Sequence, residues 1–122
     1  MPSKSFGSVR IFYPPFRRDE VLALLRQRLA RLREKLPLKQ VVLFGSYAKG
    51  RHTVASDIDL LVVYEGEPRE DAYALVKRTL GIRRLEPHVY AEEEYEQLKP
   101  TIARMIRDGI PLLEGAEGAT DP

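Results

Sequence analysis

Apolar side chains recur at three- and four-residue spacings between Arg17 and Lys35, a pattern typical of an amphipathic helix. The apolar stripe consists of Val21, Leu22, Leu25, Leu29, Leu32 and Leu36. Asp19 and Glu20 fall in the first turn, where the helix dipole favours acidic side chains, and Pro37 ends the pattern. We therefore predict that the chain opens its folded part with one long helix.

Short runs of Val, Leu and aromatic residues predict three strands, at Val41 to Phe44, Leu60 to Tyr64 and Leu85 to Tyr90. Further helices are expected after the turn at Glu65 to Arg69 up to Gly81, at Glu92 to Leu98, and at Thr101 to Asp108. This order of elements predicts an α+β fold in which a small mixed β-sheet carries its helices on one side.

The 122 residues, 43% of them hydrophobic, suffice for one domain. We expect an extended N-terminal arm at residues 1–16, because Pro14-Pro15 blocks a helix there, a folded domain at 17–113, and a loose tail at 114–122. The chain has no cysteine, which excludes disulfides and thiolate sites. Neither a leader-like apolar segment nor an apolar run of eighteen residues is present, so the interpretation is a cytoplasmic protein without membrane contact.

Charge is distributed unevenly: residues 1–53 carry twelve basic and three acidic side chains. Such a positive half could attract ATP or an RNA backbone. Most of its arginines, however, fall on the polar side of the predicted first helix, and no stacking motif accompanies them. This favours a solvated helix face over direct nucleic-acid binding.

The candidate chemistry lies in Gly45-Ser46, followed after ten residues by Asp57-Ile58-Asp59. Gly45 ends a predicted strand where a side chain would keep the backbone away from a ligand, and Ser46 can cap the next turn or bind a phosphate oxygen. Strand alternation would turn Asp57 and Asp59 to one face, with Ile58 in the core.

Two such carboxylates about 5 Å apart repel by roughly 3 kcal/mol at an effective dielectric constant near 20. A bound divalent cation would turn that repulsion into attraction. Hard oxygen ligands beside a phosphate-binding turn favour Mg²⁺, which binds one or two carboxylates together with substrate phosphates.

Over residues 39–64 the chain resembles the nucleotidyltransferase superfamily that includes DNA polymerase β, and within it the minimal, single-domain bacterial members. The resemblance implies a polymerase β palm-like fold and transfer of AMP from ATP to a hydroxyl. It also implies that Gly45 and Ser46 bind the phosphates and that Asp57 and Asp59 are catalytic metal ligands. Lys49, Arg51 and Ser56 are further candidates for nucleotide binding.

The family has a third carboxylate on the third strand, where this chain has His88. Glu86 would share a strand face with His88, so either residue could reach the acidic pair. His88 could act as a general base or merely form a structural hydrogen bond. We expect Tyr47 either to contact the nucleotide or to pack, and His52 to be exposed to solvent.

Minimal members with this pattern resemble the antitoxin of a two-gene toxin–antitoxin system whose toxin is a helical HEPN ribonuclease. The resemblance implies adenylylation of a tyrosine of that toxin and a hetero-oligomer or other oligomer. Two alternatives remain open: a non-catalytic nucleotide- or partner-binding module of the same fold, and an enzyme that modifies a small molecule such as an aminoglycoside.

Overall fold

The computed structural model describes residues 17–53 and 56–113, which form five helices and four strands. The helices are α1 (Arg18–Lys35), α2 (Ser46–Lys49), α3 (Ala72–Leu80), α4 (Glu92–Gln97) and α5 (Lys99–Met105). The strands are β1 (Leu38–Phe44), β2 (Ile58–Tyr64), β3 (Leu85–Ala91) and β4 (Ile110–Leu113). The expected arm at 1–16 and tail at 114–122 lie outside the described residues.

Local interactions fix the ends of the two longer helices. The Glu20 carboxylate accepts a hydrogen bond from the Arg17 backbone N–H at 2.8 Å, which supplies a partner just ahead of the first turn of α1. Arg28 of α1 donates a hydrogen bond to the carbonyl oxygen of Leu80, the last residue of α3, at 2.6 Å. Since the last carbonyl groups of a helix have no partner within it, this bond ties α1 to the end of α3.

The four strands form one mixed sheet in the order β3-β2-β1-β4. β1 runs antiparallel to β2 and to β4, whereas β2 and β3 are parallel, with α3 as the crossover between them. The end of β1 at Phe44 therefore lies beside the starts of the other three strands, at Ile58, Leu85 and Ile110. We call this the motif end of the sheet, because Gly45 and the Asp57–Asp59 segment meet there.

Alternating residues of the central strands pack into two apolar clusters on opposite faces of the sheet. The larger cluster joins Leu43 and Leu60 to the buried stripes of α1 and α3. The smaller one joins Phe44 and Leu61 to Ile102 of α5. The predicted α+β fold is confirmed, and α1 and α3 do lie on one side, but the short α5 covers part of the other face.

The last strand, β4, was not predicted from the sequence, which suggested helix up to Asp108 and a stop at Gly109. α5 ends at Met105 instead, and the chain turns at Gly109 into a strand beside β1. A Cβ atom on Gly109 would lie 2.6 Å from the Val42 side chain and 2.9 Å from the Leu43 carbonyl oxygen. Only glycine allows the chain to approach β1 so closely. Because this contact joins residues far apart in the sequence, the local pattern of apolar residues did not predict it.

Among the residues that the structure describes, no helix is both long and apolar enough to cross a membrane.

Candidate functional site

The turn between β1 and α2 brings the two halves of the sequence motif into contact. Gly45 has φ 81° and ψ −153°, a conformation that residues with a side chain rarely adopt. A Cβ atom at this position would lie 2.5 Å from Asp59 Oδ2, well inside van der Waals contact. In the turn that the sequence predicts to bind phosphate, the α-carbon of Gly45 thus lies directly against the carboxylate of Asp59.

The remaining predicted phosphate contacts lie along α2 and directly after it. Ser46 is half-buried at the first position of the helix, and its carbonyl oxygen accepts a hydrogen bond from the Arg51 N–H at 2.9 Å. Lys49 and Arg51 are exposed on either side of Gly50, which ends the helix in the left-handed conformation at φ 73°. The turn therefore presents two positively charged side chains to solvent near the motif end.

β2 begins at Ile58, so Asp57 lies just ahead of the strand rather than within it. Asp57 is exposed, Ile58 is buried and Asp59 is half-buried, as alternation predicts for the latter two. Ser56 closes the preceding loop: its hydroxyl accepts a hydrogen bond from the Thr53 N–H at 2.8 Å. The structure thus gives Ser56 a role in shaping the approach to Asp57.

His88 lies beside Asp59, with Nε2 3.4 Å from Asp59 Oδ1. Phe44 packs against the His88 ring at a centroid distance of 5.0 Å and is paired with Asp59 across β1 and β2. Glu86 is the direct neighbour of Asp59 in the parallel pairing of β2 and β3, and is exposed. Both candidates for the third position are therefore next to Asp59, and the His88 side chain contacts its carboxylate.

Sequence reasoning missed Phe44 as a site residue and misplaced His52. Phe44 reads as one more apolar strand residue, although its position directly before Gly45 could have indicated its place. His52, expected to be solvent-exposed, is half-buried and stacks on Tyr47 at 4.1 Å with the ring planes 8° apart, and its Nδ1 is buried without a hydrogen-bond partner. Tyr47 itself packs in the core, and burial raises the pKa of its hydroxyl.

The donor set fits a magnesium ion that is completed by its substrate. Within the described part of the chain, no group of three or more Asp, Glu, His or Cys side chains could hold a metal by itself. Mg²⁺, however, commonly takes one or two carboxylates and fills its other positions with phosphate oxygens and water. Asp57 and Asp59 supply such carboxylates, and the Asp59 carboxylate lies directly against the α-carbon of Gly45 in the predicted phosphate-binding turn.

A family model for the nucleotidyltransferase domain matches residues 25–113, which span both halves of the motif and all four strands. The chain belongs to the nucleotidyltransferase domain family. The match extends well beyond the residues from which the sequence resemblance was drawn.

Relatives in Methanocaldococcus jannaschii carry provisional assignments as protein adenylyltransferases. One is 42% identical over 46 residues, which cover 38% of this chain, and a second is 41% identical over 47 residues. Each match covers 47% of the relative, so the chain spans about half the length of the curated relatives it matches.

Two solved structures share the fold. A provisionally assigned nucleotidyltransferase of Sulfolobus solfataricus has a TM-score of 0.55 at 24% identity, covering 77% of this chain and 80% of that one. A mutant of the MntA–HpeT toxin–antitoxin pair has a TM-score of 0.52 at 16% identity, covering 84% and 77%. At these identities the likeness supports the α+β nucleotidyltransferase fold.

Proposed function

We propose that this domain is a Mg²⁺-dependent protein adenylyltransferase that transfers AMP from ATP to a hydroxyl group of a partner protein. The observation that carries the proposal is the contact between the bare α-carbon of Gly45 and the Asp59 carboxylate. This contact puts an acidic side chain directly against the turn that the sequence predicts to bind phosphate. A phosphate bound in this turn would be repelled by the neighbouring carboxylate unless a divalent cation bound to both of them.

Each predicted site residue has a role in this proposal. The turn at Gly45 and Ser46 binds the β and γ phosphates, and Lys49 and Arg51 neutralise their outer oxygens. Asp57 and Asp59 would hold Mg²⁺, which when bound polarises the phosphates and stabilises charge on the attacking and leaving oxygens. Ser56 keeps the loop ahead of Asp57 closed through its bond to Thr53.

In the transfer step, the acceptor oxygen forms a bond to the α-phosphorus while the bond from that phosphorus to the α,β-bridging oxygen breaks. Pyrophosphate leaves, and the proton of the acceptor hydroxyl passes to a base. His88 is the candidate base because its Nε2 is 3.4 Å from Asp59 Oδ1 and its ring is held by Phe44. Glu86, the strand neighbour of Asp59, is the alternative.

We propose a tyrosine of a HEPN-type helical toxin as the acceptor, with this chain as the antitoxin. Two findings support this choice. The relatives in Methanocaldococcus jannaschii are assigned as protein adenylyltransferases, and one structural neighbour comes from a toxin–antitoxin pair. A complex of the two proteins follows from the same proposal, since the acceptor must reach the motif end of the sheet.

The test is to incubate the purified chain with ATP, Mg²⁺ and a HEPN-type protein from the same genome, and to measure the intact mass of that protein. We expect one added AMP per modified toxin and loss of its ribonuclease activity. The Asp57→Asn, Asp59→Asn double variant is the negative control, and omission of Mg²⁺ should give the same result. Separate His88→Ala and Glu86→Gln variants identify the base, since only loss of the true base should abolish the reaction.

A second candidate is a binding module that holds the toxin without modifying it. It is favoured by one observation, namely that the described residues contain no three-member group of metal-binding side chains. In that case the toxin would be inhibited with no change in mass, and the Asp57→Asn, Asp59→Asn variant would inhibit it as well as the wild type does. That result would contradict the adenylyltransferase proposal.

A further inference from the structure

A tight turn ahead of β3 places two arginines at the motif end of the sheet. The Leu85 N–H donates to the Ile82 carbonyl oxygen at 3.1 Å, closing a four-residue turn. Ile82 and Leu85 are buried and anchor the turn, while Arg83 and Arg84 between them are exposed. The turn is therefore fixed at both ends and presents its charged residues to solvent.

Arg84 has a backbone conformation that arginine rarely adopts. Its φ is 66°, in the left-handed region, at the third position of the turn, where glycine is the usual residue. Gly81, three residues earlier, has φ 51° and shows that the chain uses glycine for the same conformation nearby. Unfavourable backbone conformations of this kind concentrate at functional sites.

The backbone of Arg84 is joined to the acidic half of the motif. Its carbonyl oxygen accepts a hydrogen bond at 2.8 Å from the N–H of Ile58, the residue between the two aspartates. Because that N–H belongs to the peptide group joining Asp57 to Ile58, the Arg84 backbone lies beside this peptide, just ahead of the first pair of β2 and β3, Ile58 with Leu85. The charge of Arg84 also acts on Tyr47 in α2, where it opposes the effect of burial on the pKa of that hydroxyl.

We propose that Arg84 is a phosphate-binding residue of the nucleotide site, kept at a glycine-type turn position because its guanidinium contacts the polyphosphate. This inference rests on the proposed nucleotide function. The guanidinium carries several N–H donors in a planar fork that fits phosphate oxygens, and the turn holds its backbone beside Asp57. The ligand class is a nucleoside triphosphate or the pyrophosphate that leaves it.

Binding of two probes, Mg²⁺–ATP and Mg²⁺–triphosphate, should be measured by isothermal titration calorimetry. We expect Arg84→Gly to weaken both by about tenfold or more, the effect of losing one charged hydrogen bond. The melting temperature should stay the same or rise by up to about 4 °C, because glycine relieves the left-handed backbone. Arg83→Ala removes the same charge one residue away and should leave both affinities within about twofold.

Arg84→Asn provides a second variant whose side chain tolerates the left-handed conformation, and it should weaken binding as Arg84→Gly does. Unchanged or tighter binding by both Arg84 variants would overturn the role of Arg84 while leaving the nucleotide site in place. Equal losses in Arg83→Ala and Arg84→Gly would also overturn it, because they would indicate a general charge effect. Failure of the wild type to bind either probe would instead contradict the proposed function itself.

Discussion

The helix-covered face of the sheet and its motif end differ in both composition and backbone conformation. On the helix-covered face, Leu25 of α1 and Leu60 of β2 have no exposed surface, and their neighbours are apolar. At the motif end, Asp57 is exposed, Asp59 is half-buried against His88, and Gly45 has a left-handed φ. The helix-covered face therefore excludes water, whereas the motif end has charged side chains at the edge of the apolar core.

Backbone strain follows the same division. Among the described residues, the two non-glycine positions with positive φ are Arg84 and Asp108, in the turns that lead into β3 and β4. Both strands start at the motif end. Burial of apolar surface stabilises the packed face by about 25 cal/mol per Å². This stabilisation offsets the cost of the strained turns at the motif end, where the chemistry is proposed. Substitutions in the two regions should therefore have separable effects.

The largest effect is expected at the motif end, on catalysis. Asp59→Asn should lower AMP transfer by about a thousandfold or more, because in the proposed mechanism the Asp59 carboxylate holds Mg²⁺ and a neutral amide would bind it far more weakly. Its urea midpoint should change little, since Asp59 is only half-buried. Asp71→Asn, which alters an exposed acid paired with Arg69 at the start of α3, is the matched control and should transfer AMP normally. Equal activity of Asp59→Asn and the wild type would remove Asp59 from the mechanism.

The packed face should respond in stability instead. Leu25→Ala is expected to lower the free energy of unfolding by about 3 kcal/mol, because it leaves a cavity between α1 and the sheet. Urea unfolding followed by circular dichroism measures this change. Leu98→Ala is the control at an exposed leucine and should cost less than about 1 kcal/mol. A loss of similar size in both variants would contradict the proposed division between the packed face and its surroundings.

Gly45→Ala tests whether close contact or backbone strain matters at the phosphate turn. We expect a loss of about 2 kcal/mol in the free energy of unfolding and a clear loss of nucleotide affinity, because the new methyl group would push the Asp59 carboxylate aside. Gly66→Ala is the control: its φ is 96°, but no atom lies within 4 Å of a Cβ there. Unfolding and Mg²⁺–ATP titrations of both variants separate the two causes, and equal losses would indicate backbone strain alone.

The smallest effect is expected from a surface pair far from the motif end, Lys39 with Glu92 at 2.5 Å. The hydrogen bond from Lys39, assisted by the Gly66 N–H, holds the pKa of Glu92 below its usual 4.5. Because the pKa of Glu92 is lower in the folded protein than in the unfolded chain, the pair stabilises the fold fully above about pH 4.5. This stabilisation is lost as the pH falls through the lowered pKa. The melting-temperature difference between wild type and Glu92→Gln should therefore be small at pH 7 and shrink as the pH is lowered below 4.5. A constant difference would show that the charge of Glu92 is irrelevant.

Helix α1 and the three longer strands, β1 to β3, were predictable because each follows a periodic pattern that burial imposes on neighbouring residues. β4 was not, because its four residues are too few to show a period and its place depends on Gly109 approaching β1. Pro87 and Pro111 lie in β3 and β4, the two outer strands, as expected for a residue that lacks a backbone donor. Neither proline alone indicated which strand would be its neighbour.

The sequence by itself determined the residue types of the candidate site, since the spacing of Gly45-Ser46 and Asp57-Ile58-Asp59, next to two predicted strands, already indicated a phosphate turn and a pair of acids. Only the tertiary structure decided which groups surround that pair: Gly45 against Asp59, His88 with Phe44 on one side, and Arg84 bound through its carbonyl oxygen to Ile58. The physical reason is that motif spacing constrains neighbours along the chain. Contacts across strands depend instead on register, which the packing of the whole sheet sets.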